Sequence, residues 1–98
     1  MKLIAGKNDS GKTRELIKHS LDTDIPIFAL CDSKANSLIA KSLSYFGKTV
    51  RIVTLNDLAQ SYTGEILVDD LDSAFMLLLS DFVRTSGIAV AGATITTD

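Results

Sequence analysis

The chain has 98 residues, a formal net charge of −2 and a 46% share of hydrophobic residues, which bounds it to one domain, residues 1–98, with an ordinary core. Charge is split mildly, +3 over residues 1–50 and −5 over 51–98, so nothing global argues for nucleic acid or an anionic membrane. The single cysteine excludes an internal disulfide and fits a reducing cytoplasm, and the longest apolar run, "AFMLLL", is far too short to span a bilayer.

"KLIAG" (2–6) reads as a strand, followed by a helix over 11–21 with Thr13, Leu16, Ile17, Ser20 and Leu21 on one side. "DTDIP" is a turn. "PIFALC" (26–31) is a continuous apolar strand, in which Cys31 is expected to be a buried small hydrophobe. Residues 34–46 form a helix with Ala35, Leu38, Ile39, Leu43 and Phe46 on its core face and Gly47 as its stop. "TVRIVTL" (49–55) is the third strand, "NDLAQSY" (56–62) a short capped helix and "EILVDD" (65–70) the fourth strand. A helix over 72–86 ends at Gly87, and "IAVAGATI" (88–95) is the fifth strand.

Strands without polar alternation, each separated by a helix, point to a sheet covered on both faces. The expected fold class is therefore α/β, a three-layer doubly wound domain on a mostly parallel five-stranded sheet. In such sheets ligands bind beyond the carboxyl ends of the strands, here "AGK", "LCD", "TLN", "VDD" and "GAT".

One of those ends carries a phosphate-binding pattern. Gly6, Lys7, Asn8, Asp9, Ser10, Gly11, Lys12 and Thr13 match G-x-x-x-x-G-K-[ST] in full. Glycines let such a backbone wrap closely, so N–H groups point at phosphate oxygens, and the helix that follows adds its positive end. Lys12 would reach the β- and γ-phosphates, and the Thr13 hydroxyl would ligate Mg²⁺. "EILVDDLD" supplies the matching apolar strand ending in acids. Asp69 would hold Mg²⁺ through water, Asp70 is placed to orient or deprotonate an attacking water, and Asp72 is a helix cap.

Both motifs on five alternating strands resemble a P-loop NTPase with Walker A and Walker B sequences. The order of elements is similar to the first RecA-like domain of helicases, translocases and phage terminase ATPases. In those proteins the strand after Walker B ends in a short Thr/Ser-Ala-Thr sensor, matched here by Ala93, Thr94 and Thr96. The resemblance implies ATP and Mg²⁺ as ligands, Lys12, Asp70 and Thr94 as catalytic residues, and an arginine finger from a second domain. The chain departs from the pattern: it has Asp70 where that family carries Glu, and only five residues precede Gly6 where helicases carry a base-reading motif, so adenine selectivity is not legible. The arginine finger is expected from another subunit or a partner, with Arg51 and Arg84 as candidates within an oligomer. GTPases need Asn-Lys-x-Asp, which does not occur, and nucleoside kinases add an arginine lid or a zinc lasso, for which one cysteine and one histidine are too few.

Weaker signals concern partners. Lys34, Lys41 and Lys48 recur every seven residues, which reads as a solvated helix face before a nucleic-acid stripe, with Tyr45 the nearest aromatic residue. In "SAFMLLLSDFVRTS", Phe75, Met76, Leu78, Leu79, Phe82 and Val83 cover most of the helix and Leu77 points the opposite way, as in a helix that meets a second copy or a protein partner. The expectation is a cytoplasmic Mg-nucleotide-binding protein, ATP before other nucleotides, with weak or partner-dependent hydrolysis. The alternatives are a non-hydrolysing regulatory module and a small nucleoside or nucleotide kinase.

Overall fold

A computed structural model describes residues 2–6, 11–60, 62–85 and 87–96. In chain order the elements are β1 (Lys2–Gly6), α1 (Lys12–Thr23), β2 (Ile27–Ala29), α2 (Asp32–Phe46), β3 (Ile52–Thr54), α3 (Leu55–Gln60), β4 (Gly64–Val68), α4 (Ser73–Thr85) and β5 (Ile88–Thr96). The five strands form one wholly parallel sheet in the order β1-β5-β4-β2-β3.

Successive strand residues face opposite ways, and both faces are filled. Ile4, Ile27, Ala29 and Leu67 pack with Leu16, Ile17, Ala35 and Leu38 of α1 and α2. Phe28, Val53, Ile66, Val68, Ile88 and Ala93 pack on the other face with Leu58 of α3 and Leu79 and Phe75 of α4. Two covered faces explain strands with no polar alternation, and they make the domain three-layered and α/β. The chain runs across the sheet from β1 through β2 to β3 with its helices on one face, then back through β4 to β5 with its helices on the other. Sheets whose chain leaves β1 onto one face and β4 onto the other bind ligands beyond the carboxyl ends of those strands.

Local chemistry sets the ends of these elements. Gly47 (φ 68°) closes α2 in the left-handed conformation, its N–H bonded to the Leu43 carbonyl. Thr54 caps α3 reciprocally: its hydroxyl and N–H donate to the Asp57 carboxylate, and the Asp57 N–H returns to the Thr54 hydroxyl. Asp72 caps α4 by accepting the Phe75 N–H at 2.8 Å.

Two expectations need correction. Cys31 is exposed, not buried. The ladder of β2 ends at Ala29, and beyond it the chain leaves the sheet, so Leu30 and Cys31 stand at the rim. On α2 the buried stripe runs through Ala35, Leu38 and Ser42, while Leu43 is half exposed. The Ser42 hydroxyl donates to the Ile39 carbonyl and accepts the Val50 N–H, so a polar tie to the chain entering β3 takes the place of a leucine contact.

On α4, Leu79 is buried while Leu77 is 73% exposed, with Met76 and Val83 also exposed; the side chains of Leu78 and Phe82 lie outside those described. No helix among the described residues is long and apolar enough to cross a membrane.

One irregularity matters for the site. Ile66 pairs with Val90, but Leu67 pairs with Gly92, so Ala91 is an extra residue in β5. A one-residue insertion flips every side chain beyond it to the opposite face. Without it Thr94 would face α4 with Ile88 and Val90. With it, Thr94 sits beside Ile4 on the α1 face.

Candidate functional site

At the carboxyl end of the sheet, α1 begins at Lys12 behind Gly11, whose φ of 83° is a left-handed conformation that glycine adopts without strain. No side chain of that N-cap closes the first turn. Lys12 is buried and Thr13 half-buried, both on this first turn. Gly6 ends β1. Lys7, Asn8, Asp9 and Ser10 lie outside the described residues.

Asp69 follows the last residue of β4, and its side chain is 1% exposed. It is enclosed by donors. Thr94 donates to Oδ1 at 2.6 Å, Lys34 to Oδ2 at 2.9 Å, and the Thr13 hydroxyl lies 3.2 and 3.3 Å from the two oxygens. Burial alone would raise the pKa of this carboxyl. The hydrogen bonds from Thr94 and Lys34, the charge of Lys34 and the bond from Thr13 outweigh burial and hold it below the ordinary aspartate value.

Asp70 differs in every respect. Its side chain is 61% exposed and its φ is 58°, a left-handed conformation unusual for a residue other than glycine. The geometry is held from β5: the Asp70 N–H donates to the Thr94 hydroxyl at 2.7 Å, and the Leu71 N–H donates to the Thr94 carbonyl at 2.8 Å. Lys34 Nζ lies 3.7 Å from Asp70 Oδ2, and the Thr96 hydroxyl is 3.5 Å from Oδ1.

The fold thus brings Lys12, Thr13, Asp69, Asp70 and Thr94 together from three segments of the chain. It also adds Lys34, which sequence reasoning left on a solvated stripe with Lys41 and Lys48. The available signal was a lysine in the first turn of a helix, where the helix dipole disfavours a cation. Of the arginines, Arg51 binds the Asp24 carbonyl and carboxylate at the amino end of the sheet, away from this cluster. Arg84 lines an apolar groove of about 320 Å³ with Met76, Leu79, Val83 and Val90.

Fold and site define a three-layer α/β domain with a buried carboxylate, a hydroxyl and a lysine gathered at the carboxyl end of its parallel sheet. The chain matches no protein-family model, no curated protein and no solved structure.

Proposed function

We propose that the chain binds a Mg²⁺-nucleoside triphosphate, ATP before other nucleotides, beyond the carboxyl ends of β1 and β4, and that it hydrolyses the nucleotide weakly or only with a partner. The observation that carries this is the approach of Thr13 to Asp69 within 3.2 Å across 56 residues of sequence, which joins the two motif halves.

The donor set suits the metal. A carboxylate and a hydroxyl are hard oxygen donors of the kind Mg²⁺ takes, and they lie 3.2–3.3 Å apart. Bound there by Thr13 and, through water, by Asp69, Mg²⁺ would neutralise charge on the phosphate oxygens. Lys12 brings a cation to the β- and γ-phosphates at the start of α1. Asp70, whose carboxylate is exposed, accepts a proton from water. Thr94 touches neither phosphate nor water in this scheme; it positions Asp69 and the Asp70 backbone.

Titration of ATP, GTP and ADP with Mg²⁺ in a calorimeter, with phosphate release followed in the same samples, tests the reading. The expected result is ATP binding that Lys12→Ala weakens by about a hundredfold, the worth of about 3 kcal/mol of charge-assisted bonds. Equal binding by that variant, or no binding by the wild type, would overturn it. Binding without turnover would favour a nucleotide-dependent regulatory module. The short Asp70 side chain, with Lys34 3.7 Å away, supports that second reading.

A further inference from the structure

Lys34 reaches Asp69 from an unfavourable place. It is the third residue of α2, at the helix end whose unpaired N–H groups carry partial positive charge. Its ammonium is held there by two carboxylates, at 2.9 Å from Asp69 Oδ2 and 3.7 Å from Asp70 Oδ2. Thr94 has taken Oδ1 of Asp69. Oδ2, which faces the Thr13 hydroxyl at 3.3 Å, is the oxygen the lysine occupies. The Lys34 side chain is 32% exposed, so it can withdraw into solvent without disturbing the sheet.

We propose that Lys34 is a resident counter-ion that keeps divalent cations off Asp69 in the nucleotide-free protein, and that the ammonium and the metal occupy the Asp69–Thr13 site in alternation. This rests on the reading of Asp69 and Thr13 as metal-side oxygens. A singly and a doubly charged cation at one oxygen repel each other, and the start of α2 repels the lysine as well. Free metal must therefore displace a charge-assisted bond. Metal arriving with a triphosphate brings its own negative charge and meets less resistance. Lys34 makes the site select the metal-nucleotide complex over the bare ion, and its departure frees the tip of α2.

The test titrates Mn²⁺ into nucleotide-free wild type and Lys34→Met, with bound metal read by electron paramagnetic resonance. The variant keeps the side-chain length and drops the charge. It should bind Mn²⁺ about tenfold or more tightly, equivalent to about 1.4 kcal/mol or more. Equal or weaker binding would overturn the proposal, since a lysine that merely holds Asp69 in place would leave a looser, poorer site. A second measurement needs no variant: the Lys34 ammonium resonance in ¹⁵N-labelled wild type should shift on saturation with Mg²⁺ and ATP, and an unmoved signal would also overturn it. ATP titrated in chelator reports the phosphate site separately. If ATP binds but Lys34→Met leaves Mn²⁺ affinity unchanged, only the role of Lys34 falls. If neither ATP nor Mn²⁺ binds to either protein, the nucleotide reading falls with it.

Discussion

Thr94 and Asp69 share a hydrogen bond of 2.6 Å with both side chains buried, and the same Thr94 hydroxyl accepts the Asp70 N–H at 2.7 Å. One oxygen thereby fixes the buried acid and the backbone of its exposed neighbour. Thr94→Val keeps the shape, deprives Asp69 of its shortest donor and leaves the Asp70 N–H without its acceptor. It should cost about 1–3 kcal/mol in urea unfolding, and Thr94→Ser should recover most of that. A valine variant as stable as wild type would mean that the loop after β4 is held by other contacts.

Acid should erase the contribution of Asp69. Its folded pKa lies below that of the unfolded chain, about 3.9 for aspartate. A depressed carboxyl stabilises the fold fully above the unfolded value and loses that contribution as pH falls through the folded one. The stability gap between wild type and Asp69→Asn should be constant from pH 7 to about 5 and narrow below about 4. Urea midpoints of both proteins at each pH measure it, and a gap unchanged down to pH 3 would contradict the ion-pair geometry.

Much of this architecture was legible in the sequence, because strand and helix periods read from local pattern agree with burial on both sheet faces. Leu16, Ile17 and Ser20 are buried on α1 as their spacing requires. Asp69 and Thr13 were marked by motif, and a parallel sheet with only β5 between β1 and β4 brings them together. What the pattern could not carry was non-local. The extra residue at Ala91 reverses the facing of Thr94, yet a bulge is defined by the partner strand and leaves no mark in "AVAGAT". The role of Lys34 depends on β2 lying beside β4. Ser42 replaces Leu43 in the core only because Val50 presents an N–H there.

The rim position of Cys31 predicts ready access to reagent. An exposed thiol between β2 and α2 should be labelled completely, one per chain, by an aromatic disulfide reagent in the folded protein. Labelling that appears only in urea would restore the buried cysteine expected from the run "IFALC".

Two leucines of α4 should behave oppositely. Leu79 is enclosed by Phe28, Ile66, Val68 and their neighbours, so Leu79→Ala should cost about 2–5 kcal/mol. Leu77 is 73% exposed, and Leu77→Asp should change monomer stability by about 0.5 kcal/mol or less. If α4 meets a second copy, that same substitution should halve the mass seen in sedimentation. An unchanged mass from a folded variant would put any self-association on another surface.

Asp70 carries the prediction that separates turnover from binding. Asparagine tolerates the left-handed backbone as aspartate does, so Asp70→Asn keeps the φ of 58° and the N–H bond to Thr94 while removing the charge. Nucleotide affinity should stay within a few-fold of wild type, because Asp70 lies outside the Thr13–Asp69 pair. Phosphate release should fall by about a hundredfold or more, the usual contribution of a positioned base. Asp70→Glu tests reach from the same backbone: a longer carboxylate should raise turnover, against a strain of about 1–2 kcal/mol from placing glutamate at positive φ. Turnover unchanged in both variants would remove Asp70 from the chemistry and leave its unusual backbone as a device for docking Leu71 onto β5.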